Sequence, residues 1–129
     1  MNKQAIYEGG CHCGAVRFRV KVDKHQATIC NCSICTKKGF IHLIVQASDF
    51  SLLQGEEALT TYTFNTGTAK HTFCRTCGIH SFYRPRSHPE GFSVNVRCLD
   101  NNVIDQFEVI RFDGQNWEKN IENYHSEVP

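Results

Sequence analysis

The chain has 129 residues, 40% hydrophobic and 21% charged, with 14 basic and 13 acidic side chains and a net charge of +1. These values fit one globular domain, 1–129, with a buried core, and exclude a disordered chain or a strongly basic nucleic-acid-binding surface. No apolar run could span a bilayer and "MNKQAIYEGG" lacks a leader's apolar stretch, so the expectation is cytoplasmic, with no membrane or nucleic-acid partner.

"CHCG", Cys11 to Gly14, comes first along the chain. "AVRFRVKV" follows and alternates strictly: Val16, Phe18, Val20 and Val22 fall on one side, Arg17, Arg19 and Lys21 on the other. That pattern predicts an antiparallel strand with one buried and one solvated face. "CNCSIC" then places Cys30, Cys32 and Cys35 together and runs into "SICTKK", a short helical turn that Ser33 is placed to cap. Six further short β stretches are "GFIHLIV", "FSLLQ", "LTTYTFNT", "KHTF", "HSFY" and "GFSVNV", rich in β-branched and aromatic residues. Between the fourth and fifth lies "CRTCG", with Cys74 and Cys77. "RPRSHPEG" holds Pro85 and Pro89 and reads as a loop. "QFEVIRF" is the last strand. After the Asp113-Gly114 turn, "NWEKNIENY" sets Trp117, Ile121 and Tyr124 on one face of a short C-terminal helix. The fold class expected is mostly β.

Eight cysteines in a reducing compartment read as metal or redox chemistry, not as a disulfide framework. In "CHCG" and "CRTCG" a glycine follows the second cysteine, as a zinc knuckle requires where the backbone turns through positive φ. Two such knuckles supply Cys11, Cys13, Cys74 and Cys77, a closed four-thiolate set and hence a structural one. Cys30, Cys32 and Cys35 supply only three thiolates, which leaves a position open, as catalytic zinc sites do. The helix start, with Lys37 and Lys38 folded back, would favour their deprotonated form. Cys98 is the fourth ligand of this second site, a buried strand-end thiol, or a nearby redox partner. His12, His71 and His80 are alternative ligands or supports of the knuckle site. No GxSxG, HExxH, P-loop or GxGxxG motif is present, so hydrolase, zincin and nucleotide chemistry find no foothold.

"GGCHCGAVRF", "CNCSIC", "TFCRTCG", "SFYRPRSHPEG" and "VNVRCLD", in this order, resemble the glutathione-dependent formaldehyde-activating enzyme family. "TTYTFNTGTAKHTFCRTCG" and "NWEKNIENYH" resemble its centromere protein V branch. The resemblance implies an Mss4-like fold, antiparallel sheets held by zinc. It implies two zincs per chain, a structural one on Cys11, Cys13, Cys74 and Cys77 and a labile one on the catalytic Cys30, Cys32 and Cys35. It implies a carbon–sulfur lyase run in reverse, adding glutathione, as co-substrate, to formaldehyde or a related small aldehyde to give S-(hydroxymethyl)glutathione. Glutathione's carboxylates would need cationic partners, for which Arg84, Arg86 and Arg97 are candidates, with Asn95 as a further polar contact. A non-catalytic zinc module binding glutathione or a protein partner is the alternative.

Overall fold

The computed structural model describes residues 4–64 and 66–113. Its first strands are β1 (Ala5–Gly10), β2 (Arg17–Val22) and β3 (Gln26–Cys30). A short helix, α1 (Ser33–Lys38), leads to β4 (Ile41–Val45), β5 (Phe50–Gln54) and β6 (Leu59–Tyr62). Then come β7 (His71–Cys74), β8 (Phe82–Tyr83), β9 (Phe92–Asn95) and β10 (Glu108–Phe112). The described residues are thus mostly β, and none of their helices is long and apolar enough to cross a membrane.

Strand β2 shows why the sheets pack as they do. Val16, Phe18 and Val20 are fully buried while Arg19 and Lys21 are exposed, so the alternation of the sequence becomes one dry face and one wet face. β2 is the centre of an antiparallel sheet ordered β1-β2-β5. Its inner face meets a five-stranded sheet ordered β10-β3-β4-β9-β8, and Ala27, Ile41, Leu43, Phe82 and Val94 from that sheet join the same core. Phe50 of β5 fastens the two together, with ring centroids 4.6 Å from Phe82 and 4.4 Å from Phe92. Fully burying one such ring contributes about 1.5–3 kcal/mol. β6 and β7 form a separate antiparallel ribbon, Leu59 opposite Cys74.

The other face of the five-stranded sheet matters for function. The positions between the core residues are Thr28, Cys30, His42, Ile44, Ser93 and Tyr83. Cross-strand pairing sets Thr28 beside His42, Ile44 beside Ser93, and Ser93 beside Tyr83. This face is polar and aromatic where its reverse is wholly apolar.

Five points of the sequence reading need correction or restriction. Antiparallel pairing holds except at β10, which runs parallel to β3 from Glu108 opposite Gln26 to Phe112 opposite Cys30. Strand direction between segments so far apart is set by topology, not by alternation. β1 and β3 are strands that composition does not announce, since "AIYEGG" ends in two glycines and "QATIC" is short and weakly apolar. The strand in "LTTYTFNT" stops at Tyr62, where its partner β7 begins opposite at His71. Helix α1 starts as expected, but Cys32, not Ser33, occupies the cap position, with extended backbone and no side-chain cap hydrogen bond. The helix expected over "NWEKNIENY" lies outside the described residues.

Candidate metal centre and adjoining cavity

The sulfurs of Cys11, Cys13, Cys74 and Cys77 all lie within 4.8 Å of one another. Each pair is positioned by a tight turn. Gly14 N–H donates to the Cys11 carbonyl and Gly78 N–H to the Cys74 carbonyl, at φ +83° and +79° respectively. Glycine adopts that conformation without strain. The Val16 backbone N–H donates to Cys11 Sγ at 3.3 Å. Cys13 Sγ stands 3.6 Å from both Cys11 Sγ and Cys74 Sγ. Sulfurs held tetrahedrally at a Zn–S distance of about 2.3 Å would be about 3.8 Å apart, whereas disulfide sulfurs are about 2.05 Å apart. The donor set fits zinc and no disulfide.

Cys30, Cys32 and Cys35 form a second group, also within 4.8 Å. Cys30 ends β3, Cys32 caps α1, and Cys35 is buried one turn into the helix. Their thiols share hydrogen bonds unequally. Cys30 and Cys35 donate to Cys32, so the Cys32 pKa falls to about 2. Cys35 moves up, because its thiol proton is held in hydrogen bonds with Cys30 and Cys32 and because it is buried. Three soft donors with one thiolate already favoured suit a thiophilic metal.

Lys38 folds back as expected, and Lys37 stays exposed. The Lys38 ammonium lies 4.4 Å from the Phe40 ring centroid and 4.0 Å from that of Tyr83, and 3.2 Å from His71 Nδ1. Burial lowers its pKa to about 8, against the pull of Cys35 and Cys32. Cys98 does not join the three-cysteine group. Its thiol points at the His80 carbonyl, 3.8 Å away, and its charged neighbours are Cys11 and Cys77. His12 is exposed, His71 is stacked on Tyr83 at 4.7 Å, and His80 packs on Phe73 at 5.0 Å. None of the three histidines joins either cysteine group.

A cavity of about 420 Å³ opens beside Cys30, Cys32 and Cys35. Its floor is the polar face of the five-stranded sheet, with Thr28, His42, Ile44 and Tyr83, and its walls include Phe64, His71, Arg86 and Phe112. Of the four polar contacts expected from sequence, Arg86 alone lines it. The Arg84 guanidinium lies 4.3 Å from the Phe92 ring and donates to the Pro89 and Gly91 carbonyls, pinning the loop. Asn95 is buried, accepting from the Arg97 and Ile41 N–H groups and donating to the His80 carbonyl. Arg97 is exposed at a turn away from the cavity. Sequence reasoning passed over His42 and Ser93. The signal was there: in "FIHLIV" the lone histidine falls on the face opposite Ile41 and Leu43.

The glutathione-dependent formaldehyde-activating enzyme family profile matches residues 6–120. A Halomonas elongata protein, provisionally described as such an enzyme, is 35% identical over 82 residues, 56% of this chain and 52% of its own. The chain thus spans about half the length of that curated relative. A crystal structure of a Rhodobacter sphaeroides protein superposes with a TM-score of 0.74 at 44% identity, covering 81% of this chain and 99% of that one.

Proposed function

The chain belongs to the glutathione-dependent formaldehyde-activating enzyme family, and from that membership we propose a zinc-dependent carbon–sulfur lyase of the S-(hydroxymethyl)glutathione synthase type. It would join glutathione to formaldehyde or a related small aldehyde. The observation that carries this reading is the three-thiol group opening on the cavity. The reading takes the two cysteine groups as one structural and one labile zinc site in an Mss4-like fold. Kinship with the centromere protein V branch rests on the sequence stretches quoted above.

Zinc on Cys30, Cys32 and Cys35 would lower the pKa of an incoming thiol and hold it as thiolate near neutral pH. The chain's own groups do the rest. Arg86, on the cavity wall, would pair with a glutathione carboxylate. Phe64, Ile44 and Phe112 give the cavity apolar lining. Lys38 offsets the negative charge of the cysteine group. In the reaction the thiol proton leaves to water, the sulfur lone pair forms the C–S bond, and the C=O π pair moves to oxygen. That oxygen then takes a proton from water, giving the hemithioacetal. NMR exchange spectroscopy of glutathione with formaldehyde tests the proposal: the protein should accelerate interconversion well beyond the uncatalysed rate. No acceleration at substantial protein concentration would leave a zinc module that only binds.

A further inference from the structure

His42 is a buried polar group that the cysteine chemistry leaves unexplained. It lies on the sheet face that floors the cavity and is 4% exposed. Its Nδ1 is 2.9 Å from Ser93 Oγ and 3.3 Å from Tyr83 Oη. Ser93 is fully buried, and among the described residues Nδ1 is the partner its hydroxyl finds. A buried hydroxyl that donates to nothing is costly, so Ser93 donates and Nδ1 accepts. In a neutral imidazole the other nitrogen then carries the hydrogen. Nε2–H is therefore a donor, and no group among the described residues accepts from it. Burial, with Lys38 nearby, pushes the ring's pKa down to about 3 and keeps it neutral.

Building on the function proposed above, we propose that His42 is a catalytic residue. Its Nε2–H hydrogen-bonds the aldehyde oxygen, orienting the carbonyl and stabilising the negative charge that gathers there as sulfur attacks. A carboxylate would seek a cation such as Arg86, whereas a neutral buried N–H matches a neutral carbonyl. His42 keeps its proton throughout; the protons lost by the thiol and gained by the oxygen pass through water. The device is a neutral imidazole used as an electrophile.

The test is exchange NMR on the zinc-loaded protein with glutathione and formaldehyde, for wild type, His42→Phe and His42→Gln. Losing one such donor costs on the order of 10²–10³ in rate, so His42→Phe should lose at least about a hundredfold of the catalysed exchange. His42→Gln, which keeps an N–H, should recover part of it, and both should hold wild-type zinc. A fully active His42→Phe overturns the assignment while leaving the proposed activity standing. A wild type that catalyses nothing overturns both. Because the phenylalanine could disturb the sheet, the ring is also read directly in the zinc-loaded wild type. Side-chain ¹⁵N spectra should show a neutral Nε2–H histidine from about pH 5 to 9, against an ordinary pKa of about 6.5. That Nε2 should shift on adding S-acetylglutathione, whose carbonyl carbon is bonded to sulfur. An Nδ1–H tautomer, or an Nε2 indifferent to the thioester, overturns the assignment.

Discussion

Three histidines, His42, His71 and His80, surround Lys38 in the fold, and all three are held neutral. Burial is the main cause and the Lys38 charge the next, leaving pKa values of about 3 for His42 and about 4 for His71 and His80. An unfolded histidine titrates near 6.5. Between about pH 6.5 and 4 the unfolded chain therefore binds protons that the folded chain does not, and stability falls as pH falls through that window. It is fully present above 6.5. The urea midpoint should drop from pH 7 to pH 4.5 more steeply in the parent than in His42→Leu, which removes one of the protons taken up. Equal slopes would mean that His42 is already charged in the fold. Acid also protonates cysteine thiolates, so the comparison of parent with variant, not the parent's slope alone, carries the conclusion. Of these three rings the sequence singles out His71 and His80 because they neighbour the "CRTCG" motif. His42 sits in an apolar strand, where a lone histidine reads as packing until its neighbour Ser93 is known.

At the scale of elements, the knuckles were the most legible feature and strand pairing the least. A glycine after the second cysteine reports a local backbone requirement, and Gly14 and Gly78 meet it at φ +83° and +79°. Alternation in "AVRFRVKV" likewise reports a local fact, which face of β2 is dry. The parallel pairing of β10 with β3 depends on how distant segments meet, and no local pattern encodes it. The cavity was illegible for the same reason: its floor draws Thr28, His42 and Tyr83 from three strands whose registers are set by the core on the reverse face. Loop arginines chosen for charge alone then scatter, Arg86 to the cavity and Arg84 onto Phe92. The knuckle requirement can be measured. Nothing lies within 4 Å of a β-carbon built on Gly78, so Gly78→Ala introduces backbone strain and no clash. A left-handed non-glycine residue costs about 1–2 kcal/mol. Gly78→Ala should lower unfolding free energy by about that amount in urea titration, and a neutral result would show that the turn relaxes.

For the whole molecule, the two cysteine groups differ in what they tie together. Cys13 and Cys74 meet across a sequence separation of 61 residues, so the first group joins the β1–β2 turn to the β7–β8 turn. The second group is local, spanning only "CNCSIC", and removing it opens no long loop. Structural zinc contributes about 10–16 kcal/mol apparent near neutral pH, while whole domains are stable by about 5–15 kcal/mol. Losing zinc from the first group should therefore unfold the protein, and losing it from the second should leave the sheets intact. Cys74→Ser is expected to be insoluble or to lack cooperative unfolding. Cys32→Ser should keep native circular dichroism, fall from two zincs toward one per chain, and lose any glutathione-dependent exchange. Cys98→Ser is the control. Its thiol faces the His80 carbonyl beside the first group, so this variant should retain both metals. Metal content per chain and thiol titration across the three variants decide the matter. Should Cys98→Ser lose zinc as readily as Cys32→Ser, Cys98 would be a ligand, the second site would be closed by protein, and no position would remain for a substrate thiol.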